Sequence, residues 1–177
     1  MSRVKHIKWS LDFVHRALRD ACNGTNEQIH FVPKYGSHSI AWCLWHTTRI
    51  EDLIVNLVIR ESDTVWDEDW ANKTGLPFDG FGTGQTDEDA QKVEISDMKT
   101  FKGYQDLVWE STSTLLNELK DEDLLRQVKS SAGTESIDES IYAMAGCATS
   151  SVGTGGMKTK IEAAEKATSH GIATYII

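Results

Sequence analysis

Whatever chemistry this chain of 177 residues can do rests on six histidines, three cysteines and one glycine-rich loop. His46 stands inside the apolar stretch Ser39-Ile-Ala-Trp-Cys-Leu-Trp-His-Thr-Thr-Arg-Ile-Glu-Asp. An imidazole in such a place is either a hydrogen-bonded residue of a helix interface or one ligand of a metal ion. A catalytic metal needs about three protein donors and an open position. A pair four residues apart on one helix often supplies two of them, because such side chains face the same way. No His-x-x-x-His pair occurs in this sequence. His15, Glu51 or His170 could complete a site around His46, but no spacing imposes it. His6, His30 and His38 read as loop or helix-end residues. Cys22, Cys43 and Cys147 are odd in number and lie at no metal-type spacing, which disfavours a zinc ribbon and a disulfide framework.

The loop is Val152-Gly-Thr-Gly-Gly-Met-Lys-Thr-Lys. In one reading Thr154, Gly155, Gly156, Met157, Lys158, Thr159 and Lys160 form a nucleotide-binding stretch. Backbone N–H groups and the following helix N-terminus would cradle a phosphate, and Lys158 or Lys160 would add charge. In the other the loop only turns the chain into a helix capped by Thr154. Trp42, Trp45, Trp66, Trp70 and Trp109 could stack on bases, but their spacing suits core and crossover anchors better. The acidic runs Asp67-Glu-Asp and Asp87-Glu-Asp match no calcium loop and read as solvated faces.

These residues need elements to hold them. Ile7–Cys22 reads as a helix with Trp9, Phe13, Leu18 and Cys22 on its apolar side, beside Ile7 and Val14, and Asn23-Gly24 stops it. Thr25–Gly36 reads as a connection. Ser37–Arg60 is the clearest helix, capped by Ser37 or Ser39. Its stripe of Ile40, Cys43, Leu44, Ile50, Ile54, Leu57 and Val58 is wide enough for a central position. Ser62–Asp97 is a long structured crossover, with a helical turn around Val65–Trp70 and a helix start at Thr86. Asp97–Lys120 is a third long helix, followed by a short turn at Leu124 and Leu125. Lys129–Thr134 is small and polar and reads as a boundary. Beyond it come the glycine loop, a helix over Met157–Ser169 and a strand over Ile172–Ile177, a change to α/β grammar.

Composition narrows the function classes. The formal charge of −9 argues against a generic phosphate-backbone binder, so no nucleic-acid partner is expected. The acid is concentrated in the middle: residues 1–60 carry net +3 and residues 61–99 carry net −8. No apolar run is long enough to cross a bilayer, and Met1–Lys8 lacks a signal-peptide core. A reducing, cytoplasmic setting is the expectation.

The stretch from Ser39 to Asp52 resembles the second helix of the DinB-like family of four-helix bundles. Val65-Trp-Asp-Glu-Asp-Trp, Lys73-Thr-Gly-Leu-Pro and Gly82-Thr-Gly-Gln-Thr resemble its long crossover, and Tyr104 and Thr112 continue the match, which covers residues 8–128. The resemblance implies a mainly α, up-down bundle with a long crossover after the second helix. It also implies a divalent metal, zinc or nickel, held by three histidines, which activates water in hydrolases or a thiol in transferases and isomerases. His46 falls at the second-helix ligand position. The other two ligands of that family form a His-x-x-x-His pair on the fourth helix, which this sequence lacks, so the cage is short of donors.

A second resemblance begins near Ile137. Ala143-Met-Ala-Gly-Cys-Ala-Thr-Ser-Ser-Val-Gly-Thr-Gly-Gly-Met-Lys-Thr-Lys-Ile-Glu-Ala-Ala is similar to a segment of the glutamate 5-kinase family, where Thr-Gly-Gly-Met-x-Thr-Lys lines the ATP site. It implies ATP-dependent phosphorylation of glutamate in proline biosynthesis. The remaining strands of that fold have no counterpart here, so ATP binding is not expected. The chain therefore reads as a hybrid: a three-helix DinB-like unit over 1–133 and a kinase-like fragment over 134–177. A natural fusion, a rearranged gene and a misassembled one all give this pattern. The expected partners are a small-molecule ligand and a second copy of the chain. A homodimer would cover the groove that three amphipathic helices leave open, unless Met157–Ser169 docks as a substitute fourth helix. A third reading is a non-catalytic dimerising module.

Overall fold

The computed structural model describes residues 2–34, 38–130 and 133–146. Helix α1 spans Arg3–Ala21 and starts four residues earlier than the apolar pattern predicts. The Ser2 hydroxyl accepts from Lys5 N, and the Asp121 carboxylate accepts from the Arg3 and Val4 amides at 2.9 and 3.0 Å. His6 therefore lies within α1. Thr25 opens the short helix α2, Asn26–His30, through a reciprocal capping box with Gln28, where the sequence suggests only a connection.

Helix α3 spans Ile40–Asp52, with Ser39 as its cap, and runs on as a π-helical segment over Leu53–Ile59. The crossover holds α4, Glu68–Thr74, and α5, Asp87–Ala90, the latter capped by Thr86. Helix α6, Met98–Glu118, is capped by Asp97, and a 3-10 turn follows at Asp123–Leu125. Strand β1, Gln127–Ser130, pairs antiparallel with β2, Gly133–Ser136. This hairpin replaces the polar boundary read at Lys129–Thr134. Val128 anchors it in the core, and Gly133 turns with φ of 135°. Helix α7, Ile137–Gly146, then packs against the π segment, the 3-10 turn and α3.

The crossover makes α3 and α6 run the same way. Asp52 meets Tyr104, Asn56 meets Ser111 and Arg60 meets Glu118, all in rising order. Helix α1 runs opposite to α6, with Lys8 on Asn117 and Arg19 on Asp106. Two apolar clusters fill the bundle. Trp45, Phe101, Tyr104 and Val108 centre the one under the crossover; Val55, Ile59, Leu116 and Ile137 centre the one under the hairpin and α7. The mainly α bundle with a long crossover is thus the architecture of the described residues.

Two apolar faces differ from the pattern. Trp9 and Phe13 are 59% and 50% exposed, while Val4 and Ile7 are buried. At about 100° per residue, Val4, Ile7, Leu11, Leu18 and Cys22 share the inner face, and Trp9 and Phe13 fall opposite them. Ile40 and Leu57 are likewise exposed at the ends of the second long helix. The loop, helix and strand read over 147–177 lie outside the described residues.

Candidate functional site

His46 lies on α3, seven residues after the Ser39 cap, and is buried. Its Nδ1 meets the carbonyl oxygen of Phe81 in the crossover. A carbonyl only accepts, so Nδ1 carries a proton and is the donor. The ring stacks on Trp42 with centroids 4.4 Å apart, and the His38 ring lies tilted against Trp42 at 3.8 Å. Trp42 donates its indole N–H to Gln85 at 2.8 Å, which ties the stack to the same crossover loop. Gly82 closes the corner. Its φ is 94°, and a Cβ there would sit 2.9 Å from His46 Nδ1 and from Trp42 Cζ2. Partial burial pushes the His38 imidazole below its ordinary value; Asp87 opposes this and His46 adds to it.

The two acids one turn further along α3 are committed elsewhere. Glu51 receives His15 Nε2 at 3.0 Å on both oxygens and the Thr112 hydroxyl at 2.5 Å. Asp52 accepts from Asn56 Nδ2 and Val65 N on one oxygen, and from Trp66 N and the Tyr104 hydroxyl on the other, all at 2.8–2.9 Å. Those four donors occupy the carboxylate's lone-pair directions. Arg49 stands 3.5 Å from Asp52 and lays its guanidinium over Trp66 at 5.1 Å. This polar layer staples α1, α3, α6 and the crossover together. On its outer side, Asp12, His15, Arg16, Arg19 and Trp109 line a shallow depression of about 440 Å³.

The sequence profile of the DinB superfamily matches residues 5–146. The chain belongs to the DinB superfamily. This DinB chain is also similar in structure to a conserved protein from Enterococcus faecalis. The TM-score is 0.69 and the identity 21%, over 81% of this chain and 87% of that one. A short stretch of 43 residues is 91% identical to glutamate 5-kinase 1 of Pseudoalteromonas translucida and 77% identical to glutamate 5-kinase of Idiomarina loihiensis. That stretch is 24% of the DinB chain, and the chain spans only 12% of the length of these kinases.

The DinB family implies a metal, and the donor set of the described residues does not fit one. Among them no three His, Cys, Asp or Glu side chains converge. His46 keeps the orientation a metal ligand has, with its far nitrogen held by a carbonyl. Its neighbours include an indole, a second imidazole tilted against that indole, and a glycine. Thr154, Gly155, Gly156, Met157, Lys158, Thr159, Lys160 and His170 lie outside the described residues. His15 and Glu51, weighed as donors to complete the His46 site, are brought together with each other. Of the remaining histidines, His6 is exposed on α1, and His30 accepts from Ile95 N at 3.0 Å. Sequence reasoning missed Thr112 and Tyr104 as partners of Glu51 and Asp52. The adjacent acids Glu51-Asp in the middle of an apolar helix were the available signal, because buried charges demand partners.

Proposed function

We propose that this chain is a DinB-type module from the lineage of metal-dependent hydrolases and thiol transferases that binds divalent metal weakly and does not turn over substrate alone. The supporting observation is the corner at His46: one ligand-grade imidazole, fixed by Phe81, with Glu51 and Asp52 already spent on His15, Thr112, Tyr104 and backbone amides. A complete structural zinc site contributes about 10–16 kcal/mol, and one imidazole supplies a small part of that. Where zinc or nickel did bind, it would be held at His46 and would polarise water or a thiol. Phe81 and Trp42 would orient the ring.

The test is metal content after dialysis against micromolar zinc or nickel, with His46→Ala alongside. The expected result is well under one equivalent in both proteins. One tightly held equivalent that disappears in His46→Ala would overturn the reading.

The 43-residue match to glutamate 5-kinases supports a second reading, in which the same chain binds ATP. A cradle needs a rigid scaffold to hold it, and the chain covers 12% of those enzymes. Calorimetric titration with millimolar ATP decides between the two, and no heat of binding is expected.

A further inference from the structure

We infer that the outer face of α1 is the interface of a homodimer in which two copies of α1 pack antiparallel about a two-fold axis between Asp12 and Phe13. Lys5, Trp9, Asp12, Phe13, Arg16 and Asp20 are all exposed, and they fall within about 100° of one another on the helix. Trp9 and Phe13, one turn apart, give this face two of the largest exposed apolar side chains, at 59% and 50%. Contiguous aromatic surface of this kind marks a contact site.

Charge selects the occupant. The whole chain carries −9, so two copies repel each other in general. On this strip Lys5 and Arg16 balance Asp12 and Asp20. The order of signs also fixes the direction. A parallel pair would set Lys5 against Lys5 and Asp20 against Asp20. An antiparallel pair about the stated axis sets Lys5 against Asp20 of the second copy, twice, because a two-fold interface repeats each contact. It also places Arg16 over the Trp9 indole of the second copy, a cation–π contact. Lys5 and Asp20 have no ion-pair partner among the described residues. Helix macrodipoles also favour the antiparallel arrangement.

The experiment is sedimentation equilibrium of the full chain from 5 to 200 µM. A species of twice 19.8 kDa is expected, with a concentration-dependent monomer fraction. Phe13→Glu should abolish it, with unchanged circular dichroism and melting temperature, since the site is exposed. Lys5→Glu and Asp20→Lys should each weaken the dimer about tenfold, since each change turns two attractive contacts into repulsive ones. The double variant Lys5→Glu/Asp20→Lys should restore it, a rescue that merely sticky aromatic surface would not show. A monomer at every concentration, or a dimer insensitive to Phe13→Glu, would overturn the interface. Failure of the double variant to recover would overturn the antiparallel register.

Discussion

The Tyr104 hydroxyl on α6 donates to Asp52 Oδ2 on α3 at 2.9 Å, inside the bundle. Asp52 is fully buried and answers four donors from α3, α6 and the start of the crossover. Replacing it by Ala strands all four and leaves Arg49 without its counter-charge. Breaking a buried pair from one side costs about 3–5 kcal/mol. Tyr104→Phe removes one hydrogen bond to a charged acceptor, for about 1.5–3 kcal/mol. Urea denaturation of the two variants should show that order.

The same pair gives a pH signature. Burial, and then the charge of Asp52, hold the Tyr104 phenol well above its ordinary value of 10. The unfolded chain loses that proton near pH 10 and the folded one does not. The stabilisation is therefore complete below pH 10 and declines as pH rises toward the folded value. Absorbance titration of wild type against Tyr104→Phe should show no difference in the folded protein near pH 10, and one additional phenolate after unfolding.

Gly82→Ala tests the corner at His46. A Cβ there lies 2.9 Å from His46 Nδ1 in a backbone conformation that alanine avoids. The expected loss is about 2–4 kcal/mol, from strain and crowding together. The His46 ring resonances should move with it. An unchanged melting temperature would mean that the crossover loop does not rest on His46.

His38 predicts the acid side. Its folded value is lowered, first by burial, so the unfolded chain takes up the proton more readily. The corresponding stability is present above the unfolded value of about 6.5 and is lost as pH falls through the folded value. A carbon-detected titration should place the His38 midpoint below that of a histidine in the unfolded chain. A midpoint above 6.5 would place its ring in water or beside a dominant acid.

Much of the frame was legible because its signals are local. Ser39 and Thr86 sit where caps belong, and each side chain accepts from an amide of the first turn. The apolar periods of Ile40–Ile59 and Met98–Glu118 need no partner to be recognised. The crossover announced itself through its glycines. Helix α2 and the hairpin were not legible. Five residues with a capping box look like any polar loop, and four-residue strands carry too little alternation to stand out.

By itself, then, the amino-acid order determined the long helices, the caps at Ser39 and Thr86 and the crossover, since each depends on neighbours within a few positions. Only the tertiary structure decided which way α1 faces, leaving Trp9 and Phe13 in water. It alone joined His15 to Glu51 across 36 positions and Tyr104 to Asp52 across 52. The physical reason is that a buried charge takes its partners from whichever segments packing brings near. That choice is made by three helices at once and is written in none of them.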